Sequence, residues 1–430
     1  MSAPLSFEQA PPLGVPFRFF LTAPLFGVAA GVVFALRGEP VIASRWTLEA
    51  FAVVHLLTAG FMLQVMVGAL LQFLPVAAGA NVWRPRLVAN VVHPALTLGA
   101  ALLVAGFLGA GAWSFQAAAV LLGAGTLGFS LVALLGLWRS PAIGPTLQVL
   151  RAAVTGLVVT AGLGVALASG LGWNLALPFA ALQHLHAAWG VLGWALMLVM
   201  GVAYLVVPMF QLTPPYAVRP SQAFPLTAGA ALAAWTLGAS LDVAWLEWAG
   251  TGLGGAATAG FAGYTLRLQA KRRRKVTDTT LLAWRVGMGC LLGAVLVLPV
   301  VRAAPLAWAA APAEYLLGVL ALAGAFPAVI AGMLYKIVPF IDWLHLQRVM
   351  AMPPTMQKVI PDAQARWQLR LFLAALAVLA LAVAWPPLAL VGGALFAAAW
   401  ALLEWHLVKA VRLYRSLARG AGVAPARATV

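Results

Sequence analysis

The chain has 430 residues, of which 63% are hydrophobic and only 8% charged, with a mean hydropathy of +0.98. A water-soluble protein carries about 25% charge, so this composition excludes a soluble enzyme and leaves no room for a sizeable water-soluble domain. The formal charge of +16 gathers in the links between apolar segments, as membrane topology demands, and without a soluble module carrying interleaved aromatics it excludes a nucleic-acid partner.

In chain order, the first sixteen residues are polar and proline-rich with no basic n-region, so no secretory signal is expected there. A membrane span needs about 20 apolar residues. Twelve such segments follow, at 17–36, 48–77, 88–110, 116–138, 149–170, 178–210, 223–241, 246–268, 281–301, 313–337, 368–385 and 388–410. Pro386-Pro387 is the expected break between the last two. The even-numbered links carry the bases: Arg84 and Arg86, Arg139, Arg219, Lys271 through Lys275, and Arg348 with Lys358 and Arg366. The tail adds Lys409, Arg412, Arg415 and Arg419, whereas the odd-numbered links hold chiefly Arg37, Arg45 and Arg302. This asymmetry predicts an all-α polytopic protein of a bacterial inner membrane with both termini cytoplasmic. The single cysteine, Cys290, lies in an apolar segment and excludes an intrachain disulfide.

An internal repeat orders these spans. Gly68 precedes Pro75, Gly201 precedes Pro208 and Gly332 precedes Pro339, each by seven residues, and the starts lie 133 and 131 residues apart. Each motif closes the second span of a set of four. The expected architecture is three four-helix units, at 17–138, 149–268 and 281–410, each with a long helix ending at a proline. Spans 2, 6 and 10 are expected to be the innermost.

Three histidines fall in the outer half of the expected topology. His55 opens span 2, and His184 and His186 open span 6. At 1.5 Å per residue they lie roughly 7–15 Å below the outer interface. Imidazole at such depth is costly unless it is used. On a helix, residues two apart point about 200° away from each other. His184 and His186 therefore serve opposite faces: two ligand sites, or one site and a hydrogen bond. Trp189 and Trp194 lie on the same helix. His93 precedes Pro94, where it either braces a bend or borders a metal or quinone pocket. His345 follows the span-10 proline in an expected amphipathic surface segment, and His406 beside Glu404 is an expected ion pair. Asp242 and Glu247 read as solvated loop charges. Arg37 and Arg45 are the bases nearest the outer-half histidines, set either to snorkel at the interface or to face the carboxylates of a cofactor held beside those histidines.

The second-span histidine, the His-x-His helix and the stretch Pro16-Phe17-Arg18-Phe19-Phe20 with Pro24 and Phe26 resemble the haem–copper oxidase subunit I superfamily. Within it the closer likeness is to the NnrS-like membrane haem proteins. That resemblance implies haem b, with His55 and His186 as axial ligands of a bis-histidine haem and His184 as the ligand of a second. It also implies copper as a further cofactor. A membrane haem on the outer side would have a quinol or a periplasmic electron-transfer protein as partner beside the lipid bilayer, and His93 stays a candidate metal residue on its own position. The activity implied is electron transfer or the binding and conversion of a small gas such as nitric oxide. The sequence departs from the oxidases in its His-x-His on span 6 rather than span 10. It has no His-His pair, no His-x-x-x-Tyr and no deep glutamate track, so proton-pumping oxygen reduction is not expected. The alternative from another class is a twelve-helix transporter without haem, with Gln64, Gln72 and Tyr204 as midplane polar groups.

Overall fold

The computed structural model of the chain describes residues 6–303 and 310–420, and every regular element among them is helical. The long helices are α1 (Gly14–Ala43), α2 (Leu48–Ala77), α3 (Pro85–Ala110), α4 (Ala112–Arg139), α5 (Pro145–Trp173) and α6 (Phe179–Gln211). They continue as α7 (Val218–Leu241), α8 (Ala244–Ala270), α9 (Thr279–Ala303), α10 (Ala311–Leu346), α11 (Asp362–Leu381) and α12 (Leu388–Gly420). Among the described residues, eleven of these are long and apolar enough to cross a membrane. The exception is α8, 27 residues long, where glycine, alanine and threonine replace the larger aliphatics. The chain is thus a multi-pass membrane protein, with Pro386-Pro387 in the turn between α11 and α12.

Helices α2, α6 and α10 stand apart from the rest. Their apolar windows are 72%, 72% and 67% buried, against 22–44% for the other eight spans. Each also contains a long π-helical stretch, Leu56–Met62 in α2, Trp189–Leu196 in α6 and Val319–Ala325 in α10, and a shorter one, Gly106–Ala110, closes α3. The three long stretches begin twelve, twelve and thirteen residues before Gly68, Gly201 and Gly332, so the sequence repeat is also a repeat of local backbone form. A π stretch widens the helix and recurs at functional sites.

One expectation about these helices is corrected. Pro75 and Pro208 stand two and three residues before their helices end, at Ala77 and Gln211, as the expected spans had it, but Pro339 does not end α10, which runs on to Leu346. Within a packed bundle, neighbouring groups can satisfy the carbonyl that proline frees, so the break is not forced.

The chain divides into two compact units. The first is built mainly from Phe73–Val276 with Met288–Ala307, and the second from Ala10–Gln72, Thr277–Gly287 and Trp308–Val430. In the first unit α5 packs closely on α6 and α7 on α8. The α5–α6 approach depends on glycine: a Cβ at Gly156 would collide with the main chain of Gly193, inside the π stretch. In the second unit α1 packs along α12. Its core is aromatic, with fully buried Trp400 4.4 Å from the Phe61 ring and 5.7 Å from both Phe372 and Phe396.

Candidate functional site

His55 is the last residue of the α-helical start of α2, immediately before the π stretch. Its Nδ1 lies 2.8 Å from the main-chain oxygen of Phe51. A carbonyl oxygen only accepts, so Nδ1 must carry the proton. In the neutral ring Nε2 then bears the lone pair. Thr58 adds a second side-chain bond to this turn, donating to the Val54 oxygen at 2.7 Å.

His186, in the first unit, reaches the same electronic state from a different partner. Its Nδ1 lies 3.0 Å from the main-chain oxygen of Thr160 on α5. The ring is seated against Gly164, where a Cβ would lie 2.9 Å from the imidazole Cε1. Thr160 also donates through its hydroxyl to the Gly156 oxygen at 2.7 Å. Three residues on, Trp189 opens the π stretch and donates from Nε1 to Thr236 at 3.1 Å, while Trp194 is buried. His184 is exposed and His186 half-buried. The two rings thus occupy different surroundings on α6, as their helical spacing requires.

Both His55 and His186 therefore present Nε2 as a Lewis base with the other nitrogen fixed on a carbonyl. This is the arrangement that orients an imidazole for metal ligation. Among the described residues no three His, Cys, Asp or Glu side chains gather as a metal site. A copper ion, which takes its ligands from side chains, finds no donor cluster there. A porphyrin iron brings four nitrogens of its own and asks the protein only for axial imidazoles, so these donors fit haem better than copper. His93 is half-buried on α3, with Pro94 inside that helix, and joins no such cluster.

Helix α10, the third of the repeat, carries no histidine at these positions. Five residues before its π stretch stands Glu314, the same offset at which His184 precedes the stretch in α6. Glu314 meets Arg45 at 3.1 Å, and the Arg45 guanidinium also lies over the Trp46 ring, 5.0 Å from its centre. Arg45 is thus engaged by a carboxylate that the sequence reading did not single out. Arg37 is exposed, at a non-helical kink in α1.

Several expectations away from His55, His184 and His186 change. His406 is not ion-paired with Glu404. It is buried, with Nδ1 3.0 Å from the hydroxyl of Tyr335, and Glu404 leaves one buried carboxylate oxygen unbonded. The Asp342–His345 stretch is not a surface segment, because α10 continues through it. Asp342 is 1% exposed with neither carboxylate oxygen bonded, and His345 Nδ1 lies 3.0 Å from the Ile341 oxygen. Glu247 is not a solvated loop charge. It sits in the first turn of α8, bridged to Arg302 at 3.0 Å, while Asp242 is exposed at the left-handed cap of α7. Lys336 and Asp278 pair at 3.0 Å.

Asp342 was within reach of the sequence, since an acid in an apolar helix is a functional candidate by default. Reading Pro339 as the end of the span hid it. Thr160 and Gly164 carried no signal, because their role depends on which face of α5 meets α6. No protein-family model matches the chain, and no curated protein matches it.

Proposed function

We propose that this chain is a membrane haem b protein in which His55 and His186 supply axial imidazoles, and that it works in electron transfer. The observation that carries the reading is the shared state of these two rings. Each donates Nδ1–H to a main-chain carbonyl and directs its lone pair to Nε2, next to a π stretch in one of the three most buried helices. Haem, when bound, supplies a one-electron couple; the protein supplies ligands, orientation and an apolar sleeve. A haem held through these imidazoles would supply the one-electron change that suits electron transfer. A quinol and a periplasmic protein are the proposed partners, with the bacterial inner membrane as the proposed location.

Pyridine haemochrome analysis of the detergent-purified protein tests this directly. Haem b is expected, and haem c is not, since Cys-x-x-Cys-His is absent from the sequence. Protein produced with ample haem that shows no Soret band would overturn the proposal. Nitric oxide chemistry at a second haem on His184 is the reading that the resemblance adds. It requires an open iron position, and carbon monoxide binding to the reduced protein reports one. An unchanged spectrum under carbon monoxide rules that second reading out and leaves electron transfer.

A further inference from the structure

In the second unit, α11 and α12 leave a groove of about 480 Å³ lined by Trp367, Arg370, Leu371 and Leu402. Arg370 stands eight residues beyond Asp362, the first residue of α11, or about 12 Å along the axis. Its side chain is exposed, and its guanidinium lies over the Trp367 ring, 4.9 Å from the centre. Trp367 precedes it by one turn, so the charge leans towards the start of α11.

No described carboxylate pairs with Arg370. Its neighbour Arg366 differs in this respect, being held by Asp362 at 2.7 Å. On α12, Lys409 follows Leu402 by seven residues, two turns along the same face, and is exposed and likewise without an ion pair. Trp405 lies between them, 60% exposed, and Trp367 is 64% exposed.

The pattern is therefore two unneutralised cations, two exposed indoles and an apolar floor. A charge inside a membrane-spanning helix calls for a counter-charge or a route to water. Indole rings settle at headgroup level. Leu371 and Leu402 offer hydrocarbon surface, which a free ion does not use and an acyl chain does.

We propose that this groove binds an anionic phospholipid. Its phosphate lies against Arg370 on the side towards Lys409, and one acyl chain runs over Leu371 and Leu402. Zwitterionic lipid has the same chains but cancels its own phosphate charge, so the two basic side chains select against it.

Native mass spectrometry of the detergent-purified full chain, titrated with phosphatidylglycerol or phosphatidylcholine, tests the assignment. The wild type should retain phosphatidylglycerol preferentially. Arg370→Gln should lower that retention about fivefold, the effect of one basic side chain at an anionic membrane surface. Arg370→Lys should keep most of it, and Lys409→Gln should lower it less. Arg219→Gln removes an exposed base from the first unit and should change nothing. Leu402→Trp, which fills the groove without altering charge, should weaken retention. Circular dichroism checks that each variant is folded. Equal retention by wild type and Arg370→Gln would overturn the proposal, as would an equal loss in Arg219→Gln. Displacement of the lipid by excess inorganic phosphate would also overturn it, because the site would then recognise the ion alone.

Discussion

The imidazole of His186 and the main-chain oxygen of Thr160 meet at 3.0 Å across two helices, whereas His55 makes the equivalent bond within its own helix, to Phe51. The orientation of His55 is therefore local, and that of His186 depends on how α5 and α6 pack. The packing is set by small residues: Gly156 against Gly193, and Gly164 beneath the His186 ring.

This difference predicts unequal sensitivity to changes on α5. Gly164→Val should displace the His186 ring and weaken any low-spin haem signal, because its Cβ would lie 2.9 Å from Cε1. Gly162→Val, on the same helix with open space around its Cβ, should leave the spectrum unchanged. Electronic absorption of the oxidised and reduced proteins compares them. Identical spectra for wild type and Gly164→Val would remove His186 from the ligand set.

Replacing His55 or His186 by alanine should convert a six-coordinate low-spin spectrum into a high-spin one, or abolish haem retention. Added imidazole should restore part of the low-spin signal, which a merely unfolded variant would not show. A spectrum of wild-type form in His55→Ala would mean that α2 supplies no axial ligand.

Asp342 carries no hydrogen bond on either carboxylate oxygen and is 1% exposed. Asp342→Leu should therefore raise the melting midpoint of the purified protein, because an unsatisfied buried polar group costs about 1–3 kcal/mol. Asp278→Ala should do the opposite. It strands Lys336 and removes the acceptor for the Leu281 N–H at the start of α9, a loss of about 1–2 kcal/mol. A lowered midpoint for Asp342→Leu would show that this carboxyl has a stabilising partner.

Tyr335→Phe removes the hydroxyl that meets Nδ1 of buried His406 at 3.0 Å. One hydrogen bond is worth about 1 kcal/mol net, and leaving the ring nitrogen unsatisfied adds to the loss. Thermal unfolding should show a lower midpoint, while the haem spectrum should be untouched. A spectral change would tie this pair to the proposed haem ligands.

The helices were legible because spanning a bilayer needs a long apolar run, and such runs are visible residue by residue. The Gly–Pro repeat was legible too, and it marks the three most buried helices. The π stretches were not. About one extra residue per turn leaves no mark in composition, and Leu56–Met62 and Trp189–Leu196 themselves read as ordinary apolar helix. Proline misled in α10, where packing carries the helix past Pro339 to Leu346 and so buries Asp342. Adjacency misled at Glu404 and His406. Residues two apart on a helix diverge, and the partner of His406 proved to be Tyr335, 71 positions away in sequence. The histidines His55, His184 and His186 stand out in the sequence as imidazoles in long apolar segments, but the carbonyls that meet two of them did not.

The weak apolarity of α8 bears on how the chain enters its membrane. A segment dominated by glycine, alanine and threonine gains little by leaving water alone, since partitioning follows hydrocarbon area. Helix α7 packs closely against α8 in the first unit, and only Asp242 and Val243 separate them. The two are thus set to insert together as a hairpin, and truncation after α7 should leave a nascent chain whose final segment integrates, while α8 presented without α7 should stay outside the bilayer.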